Sequence, residues 1–283
     1  MKLKRVPIIF TALFCLTFAL AAQAQQSRIY NTVKTKLAAG KQVVGGTITS
    51  SDPDVYCAVA HSGFDFLWIE MQHSSLTYDQ VARMIWACKD APAIPFIRVP
   101  DATEGDVQKA MDIGALGIIV PMVEDPQKAA NAVKFARYPP AGKRSQGGGQ
   151  YARIWGNDYR QTINDNLMVV AMIENLEGVA VADKIAAVPG VDVVFAASGD
   201  LGSFTGYARD SPEYMKVVNK IHDETLKAGK YLAGPAAWRD RDGYTFFQGP
   251  SEGALISSGA KIALGEAPPT GRPDVATGDE TRR

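Results

Sequence analysis

Polar residues interrupt this sequence where short apolar runs end. Phe66–Ile69 gives way to Glu70, and Gln72 and His73 follow close behind. Ile97 is followed by Arg98, Ile173 by Glu174 and Asn175, and Ala197 by Ser198, Gly199 and Asp200. Two carboxylates, Glu174 and Asp200, with no clustered histidines or cysteines, suit a hard or borderline divalent cation that keeps waters and takes oxygens from a substrate. Such an ion polarises a carbonyl as a Lewis acid. An arginine beside it holds a developing oxyanion or enolate, and a histidine moves a proton. No lysine stands at the end of an apolar run, so Schiff-base chemistry has only Lys143, between runs, as a candidate.

Each of these residues also has a purely structural reading. His73 would be a satisfied structural histidine, Arg98 a buried ion-pair partner, Glu174 a loop anchor and Asp200 a helix cap. The argument for shared chemistry comes from the elements that must carry them. Strands are expected near residues 43–49, 64–70, 94–99, 117–122, 168–174, 191–197, 231–235 and 245–249. Most have consecutive apolar residues, as strands covered on both faces do. Helical patterns separate them. Thr77 and Gln80 make a capping box ahead of Val81, Met84, Ile85 and Cys88 on one face. Asp125-Pro126 and Ser211-Pro212 open two more helices, the second carrying Met215, Val218, Ile221 and Leu226. Eight strands alternating with helices define an α/β chain of the (β/α)₈ barrel type. An open doubly wound sheet is the competing architecture, although no G-x-G-x-x-G follows the first strand.

In a barrel, all the polar residues above fall at strand C-termini and converge on one mouth, facing solvent. The connection 138–157, with Gly147, Gly148 and Gly149 in a row, follows the fourth strand and is long for a compact domain. It is expected to be functional, at the mouth, or disordered.

The chain opens with Lys2, Lys4 and Arg5, an apolar run over 6–20, and Ala22-Gln23-Ala24. This is the pattern of a secretory leader, residues 1–24, with cleavage after Ala24. A membrane anchor competes, but the run is short and polar residues follow at once. The expectation is a periplasmic or secreted protein with one domain over 25–266 and a disordered tail over 267–283. The sequence has 30 basic and 30 acidic residues and no basic patch, so nucleic acid is not an expected partner. Of the three cysteines, Cys15 lies in the leader. Cys57 and Cys88 could pair in an oxidising compartment, but Cys88 on an apolar helix face reads first as a small buried residue.

The blocks FDFLWIEMQH, FIRVP, AMDIGALGIIVPMVED, ARYPPAGKRS, MIENLEGV and VDVVFAASGDLGSFTGY carry a resemblance that covers nearly the whole chain after the leader. In order and spacing they resemble the HpcH/HpaI aldolase family, the metal-dependent class II pyruvate aldolases. The resemblance implies a (β/α)₈ barrel that makes or breaks the bond between pyruvate and an aldehyde, using Mg²⁺, Mn²⁺ or Co²⁺. It also implies a homo-hexamer, a trimer of dimers that exchange the last helix. Carried over by position, Glu174 and Asp200 match the metal ligands, and Arg98 the arginine on the keto oxygen. His73 matches the proton-transfer histidine and Asp112 its paired aspartate. Ser198 and Gly199 match the turn that receives the pyruvate carboxylate. The chain departs from the family at Gln72, where a glutamate is usual, and at Met172, where a glutamine is common. Two other functions stay open: a citrate-lyase-like or CoA-thioester lyase, and an exported metal or carboxylate binder without catalysis.

Overall fold

The computed structural model describes residues 27–266; the expected leader and tail lie outside the described residues. The elements in chain order are α1 (Thr32–Ala38), β1 (Val43–Ile48), α2 (Pro53–Ala60), β2 (Phe66–Glu70), α3 (Tyr78–Ala87), β3 (Ile94–Arg98), α4 (Glu104–Asp112), β4 (Gly117–Val120) and α5 (Pro126–Ala136). There follow α6 (Tyr151–Trp155), α7 (Tyr159–Asn166), β5 (Met168–Ile173), α8 (Leu176–Ala180), α9 (Ala182–Ala186), β6 (Val193–Ala196) and α10 (Ser198–Thr205). The last elements are α11 (Pro212–Lys227), β7 (Tyr231–Pro235), a 3₁₀ turn (Ala236–Trp238), β8 (Tyr244–Ser251) and α12 (Glu252–Ala263). The strands pair in parallel, each with its sequence neighbour and β8 with β1, so the sheet closes into a barrel. Closure removes the doubly wound alternative.

The helices start where local chemistry starts them. At α3 the Thr77 hydroxyl accepts from the Gln80 N–H at 3.3 Å, and the Gln80 side chain accepts from the Thr77 N–H at 2.9 Å. Each satisfies a donor that the helix end would leave unpaired. Asp125 and Ser211 cap α5 and α11, each followed by proline in the first turn, where the missing N–H costs nothing.

Strand side chains alternate between the two faces of the sheet, and the alternation sorts the barrel interior into layers. Phe66, Phe96 and Phe246 meet low in the barrel with ring centroids 4.4–5.8 Å apart. Room for them comes from Gly45 and Gly117: a Cβ there would lie 2.2 Å from the Phe66 ring and 1.9 Å from the Phe96 ring. The next layer holds Trp68 and Phe195, with centroids 5.2 Å apart. Met172, opposite Phe195 in register, fills the same depth with apolar volume. One step further along the same parity come Glu70, Arg98 and Glu174. A packed apolar floor therefore lies directly beneath three charged residues.

Three expectations change. The connection after α5 is ordered and lies at the base of the barrel, since the helix has already carried the chain away from the mouth; it includes α6, and the Tyr151 hydroxyl donates to the Gly147 carbonyl at 2.6 Å. Between β7 and β8 there is no α-helix, only the 3₁₀ turn and five further residues. Cys88 is not a free buried thiol: it is disulfide-bonded to Cys57, with Cα atoms 5.6 Å apart, and so ties α2 to the end of α3. The link closes a loop spanning 31 positions, for which chain-entropy arguments give about 3–4 kcal/mol.

Candidate active site

The register of β2 against β3 sets Glu70 beside Arg98. Arg98 Nη1 donates to Glu70 Oε2 at 3.2 Å, and Nη2 donates to Glu174 Oε1 at 3.0 Å. Glu70 also receives the Trp68 indole N–H at 3.1 Å and the backbone N–H groups of Gln72 and His73 at 2.9 and 3.1 Å. A carboxylate has about four acceptor positions, and all of Glu70's are taken. Glu70 is thus a fixed anchor. It holds Arg98 from one side, and it folds the start of the β2–α3 loop back over the strand end.

Glu174 is used differently. Oε1 accepts from Arg98, and Oε2 accepts from the Met122 N–H at 2.6 Å, which leaves each oxygen with acceptor capacity. Met122 has φ of +50°, a left-handed conformation that costs a non-glycine residue about 1–2 kcal/mol and aims its N–H at the carboxylate. Strain of this kind concentrates at functional sites. Arg98 Nε has no protein partner, so the guanidinium still has donors to offer.

Exposure decides how this trio behaves. Glu174 is 1% exposed, Glu70 5% and Arg98 6%, so the expectation of solvent-facing side chains fails for them. Burial pushes the Glu174 carboxyl up to about 7, against the opposing pull of Arg98 and the Met122 N–H, and the negative charge of Asp200 adds to the rise. Asp200 lies in the first turn of α10, half-buried. When all three are ionised, Glu70, Glu174 and Asp200 bring three negative charges around the one guanidinium that touches them, Arg98. A deficit of two positive charges, with free acceptor positions on Glu174, fits a divalent cation. Among the described residues no three acidic, histidine or cysteine side chains cluster as a complete metal cage. Two protein ligands, with waters and substrate oxygens in the other positions, match the way hard cations are commonly held.

Ser198 and Gly199 open α10, and first-turn amides of a helix lack intrahelical acceptors. They can receive a carboxylate, which the positive end of the helix also favours. The Tyr214 hydroxyl donates to the Ser198 carbonyl at 2.9 Å and steadies this turn. His73 is exposed at the rim; its backbone is tied to Glu70, while its ring has no hydrogen-bond partner among the described residues. Gln72, in the acid-to-amide position, keeps its side-chain oxygen buried without a donor.

The resemblance pairs His73 with Asp112, and within one chain they do not meet. Asp112 ends α4, a helix that runs from the mouth back to the base. It is about a strand's length from His73, roughly 15 Å. There its carboxylate accepts from Arg144 Nη2 at 2.6 Å. Arg144 also donates to the Tyr159 hydroxyl at 3.0 Å, and the rings of Tyr138, Tyr151 and Tyr159 surround it at 4.7–5.5 Å. Lys143 is spent on a surface ion pair with Glu104 at 2.7 Å. Glu70 as anchor and Met122 as donor were not assigned by sequence reasoning. The shared parity of Trp68 and Glu70 was the only available signal.

Comparison with known proteins agrees with this architecture. The sequence profile of HpcH/HpaI aldolase/citrate lyase matches residues 47–236, and the chain belongs to that family, which makes it an enzyme of a lyase family. It is 29% identical over 247 residues to the hydroxypyruvate/pyruvate aldolase of Rhizorhabdus wittichii, covering 84% of this chain and 98% of the relative. Among solved structures, it is similar to an HpcH/HpaI aldolase/citrate lyase family protein from Burkholderia cenocepacia, with TM-score 0.76, 28% identity and coverage of 83% and 98%. It is also similar to a citrate synthase, SbnG, with TM-score 0.71, 31% identity and coverage of 82% and 96%.

The elevated Glu174 carboxyl has a signed consequence for the metal-free protein. Its folded value, about 7, lies above the ordinary 4.5. The folded state therefore holds the extra proton between those values, and stability falls as pH rises from about 4.5 to 7, then levels. Denaturant melts in chelator at pH 5 and pH 8 should differ by roughly 1–3 kcal/mol more in the wild type than in Glu174→Gln. Equal pH dependence in both proteins would contradict the assignment.

Proposed function

We propose that the protein is a metal-dependent aldolase acting on 4-hydroxy-2-keto acids, releasing or condensing pyruvate and an aldehyde. The observation that carries this reading is Arg98, fixed at the barrel mouth by two buried carboxylates of which one, Glu174, keeps free acceptor positions beside Asp200. The naming of a relative as a hydroxypyruvate/pyruvate aldolase supports the same substrate class. Glu174 and Asp200 would hold the divalent ion, which when bound supplies Lewis-acid polarisation of the keto group.

In this reading the amides of Ser198 and Gly199 receive the substrate carboxylate. Arg98 donates to the keto oxygen, and its hold strengthens as negative charge gathers there. His73 takes the proton of the 4-hydroxyl. The C3–C4 bond then breaks: its electrons stay on the pyruvate half as an enolate, and the aldehyde departs. A proton delivered to C3 completes pyruvate. Glu70 touches no reacting atom; it positions Arg98.

Chelation should abolish pyruvate release from a 4-hydroxy-2-keto acid, and Mg²⁺, Mn²⁺ or Co²⁺ should restore it. Arg98→Lys should lower kcat by about 10²-fold or more, the usual scale for loss of an oxyanion donor, since lysine lacks the planar fork. Lysine keeps the charge but cannot bridge Glu70 and Glu174 with two fixed donors, so the variant should also be less stable, by about 1–2 kcal/mol. Full turnover in excess chelator, with no protein-bound metal by elemental analysis, would sink the reading.

The distance between His73 and Asp112 bears on assembly. A second copy that brings its Asp112 to the first copy's His73 would reconcile the pair with the fold, in keeping with a homo-hexamer. His73→Ala and Asp112→Ala chains, each inactive alone, should then regain activity when refolded together. Activity no greater than that of either variant would argue against a shared site.

A further inference from the structure

Cys57 and Cys88 form the one disulfide among the described residues. Cys57 lies within α2, and Cys88 caps the C-terminus of α3. These helices stand before and after β2 in the chain, and β2 is the strand that ends in Glu70. The covalent link therefore braces the two helices on either side of the strand that carries the anchor of Arg98. Cytosolic thiol systems keep such pairs reduced, whereas secreted and periplasmic proteins keep them oxidised. The bond points to a chain that folds outside the cytosol.

The sequence and the base of the barrel agree with this. Lys2, Lys4 and Arg5, the apolar run over 6–20 and Ala22-Gln23-Ala24 form the pattern of a cleavable leader. The third cysteine, Cys15, lies inside that run. Cleavage after Ala24 removes it and leaves Cys57 and Cys88 with only one possible pairing. The contacts that seal the base survive the same cut. Arg28 donates to Asp158 through Nε at 2.9 Å and Nη2 at 2.6 Å, and its guanidinium lies 4.5 Å from the centre of the Tyr30 ring. Tyr30 stacks on Trp155 with ring centroids 5.5 Å apart. The N–H groups of Tyr30 and Asn31 donate to Asn166 Oδ1 at 2.7 and 3.0 Å, and the Asn166 amide donates to the Arg28 carbonyl at 2.9 Å. Asn31 and Asn166 are fully buried. This strap, residues 28–31, lies wholly beyond the expected cut, so the mature chain keeps it.

We propose that this lyase-family protein matures outside the cytosol: the leader is cleaved after Ala24, and the Cys57–Cys88 bond is made in the receiving compartment as a brace for α2 and α3. In the bonding step one cysteine thiolate attacks the disulfide of a dithiol–disulfide oxidoreductase of that compartment, and a mixed disulfide forms. The other cysteine thiolate then displaces the oxidoreductase sulfur. Cys57 and Cys88 give up two protons and two electrons, and the oxidoreductase takes up the electrons and leaves as a dithiol. The proposal goes beyond the aldolase reading and does not depend on it.

The full-length chain, expressed with its own leader in a Gram-negative host, should be recovered from the periplasm with Gln25 as its first residue. Denatured without reductant, it should take up no maleimide; after dithiothreitol it should take up one at Cys57 and one at Cys88. Recovery from the cytosol with Met1 in place overturns the proposal, as do reactive thiols in the periplasmic protein before reduction. The brace has its own test. Reduction should lower the denaturant midpoint of the wild type to that of the Cys57→Ser/Cys88→Ser double variant, which should not respond to reductant. A wild-type midpoint that is unchanged when mass spectrometry shows both thiols free overturns the brace. That comparison uses one protein before and after reduction, so it holds even where the double variant fails to fold. Location, thiol state and midpoint need no substrate, and absence of turnover would therefore count against the aldolase reading alone.

Discussion

Arg98 is one positive charge placed between two buried carboxylates, and the rest of the site is arranged around that placement. A guanidinium and two carboxylates removed from water cost several kcal/mol each unless their hydrogen bonds are satisfied. Glu70 meets this condition with four donors. Glu174 meets it only in part, and its carboxyl rises to about 7 as a result. The difference between the two acids is the functional content of the site. One is saturated and holds position; the other stays short of partners, next to another acid, and can take a cation. A sequence selected only for stability would gain by replacing such a trio with apolar residues.

The barrel makes this placement possible. Parallel strands with a strict two-residue alternation stack phenylalanine, then tryptophan and methionine, then charge, along one line inside the barrel. The apolar floor keeps water from beneath the acids, which is why burial dominates the rise of Glu174. The same geometry separates other residues. A helix following a strand returns to the base, so α4 carries Asp112 away from the mouth, and Arg144 neutralises it there. Within one chain Asp112 therefore does not reach His73.

Much of this was legible from residue order alone. The eight strands follow from apolar runs bounded by polar residues, and the helix starts from Thr77, Asp125-Pro126 and Ser211-Pro212. Glu70, Arg98, Glu174 and Asp200 could be placed on one rim by counting strands. What periodicity cannot express is partnership across the sheet. The four donors on Glu70, the left-handed turn at Met122 and the Arg144–Asp112 pair arise between residues far apart in sequence. Cys57 and Cys88 fit apolar helix faces as well as they fit a disulfide, and only the packing of α2 on α3 brings them together. Counting from the strand puts the long segment after α5 at the mouth; the intervening helix reverses that answer.

The central claim is that Glu174, Asp200 and Arg98 stabilise negative charge on the keto oxygen of pyruvate. It can be tested without knowing the aldehyde. Pyruvate incubated with the protein in D₂O, with Mg²⁺ or Mn²⁺ and no aldehyde present, should lose its methyl-proton NMR signal. Exchange should stop in chelator and slow by about 10²-fold in Arg98→Lys, in line with the loss of an oxyanion donor. Exchange no faster than in buffer with the same ion would contradict the account, as would exchange that persists undiminished when both acids are replaced by amides.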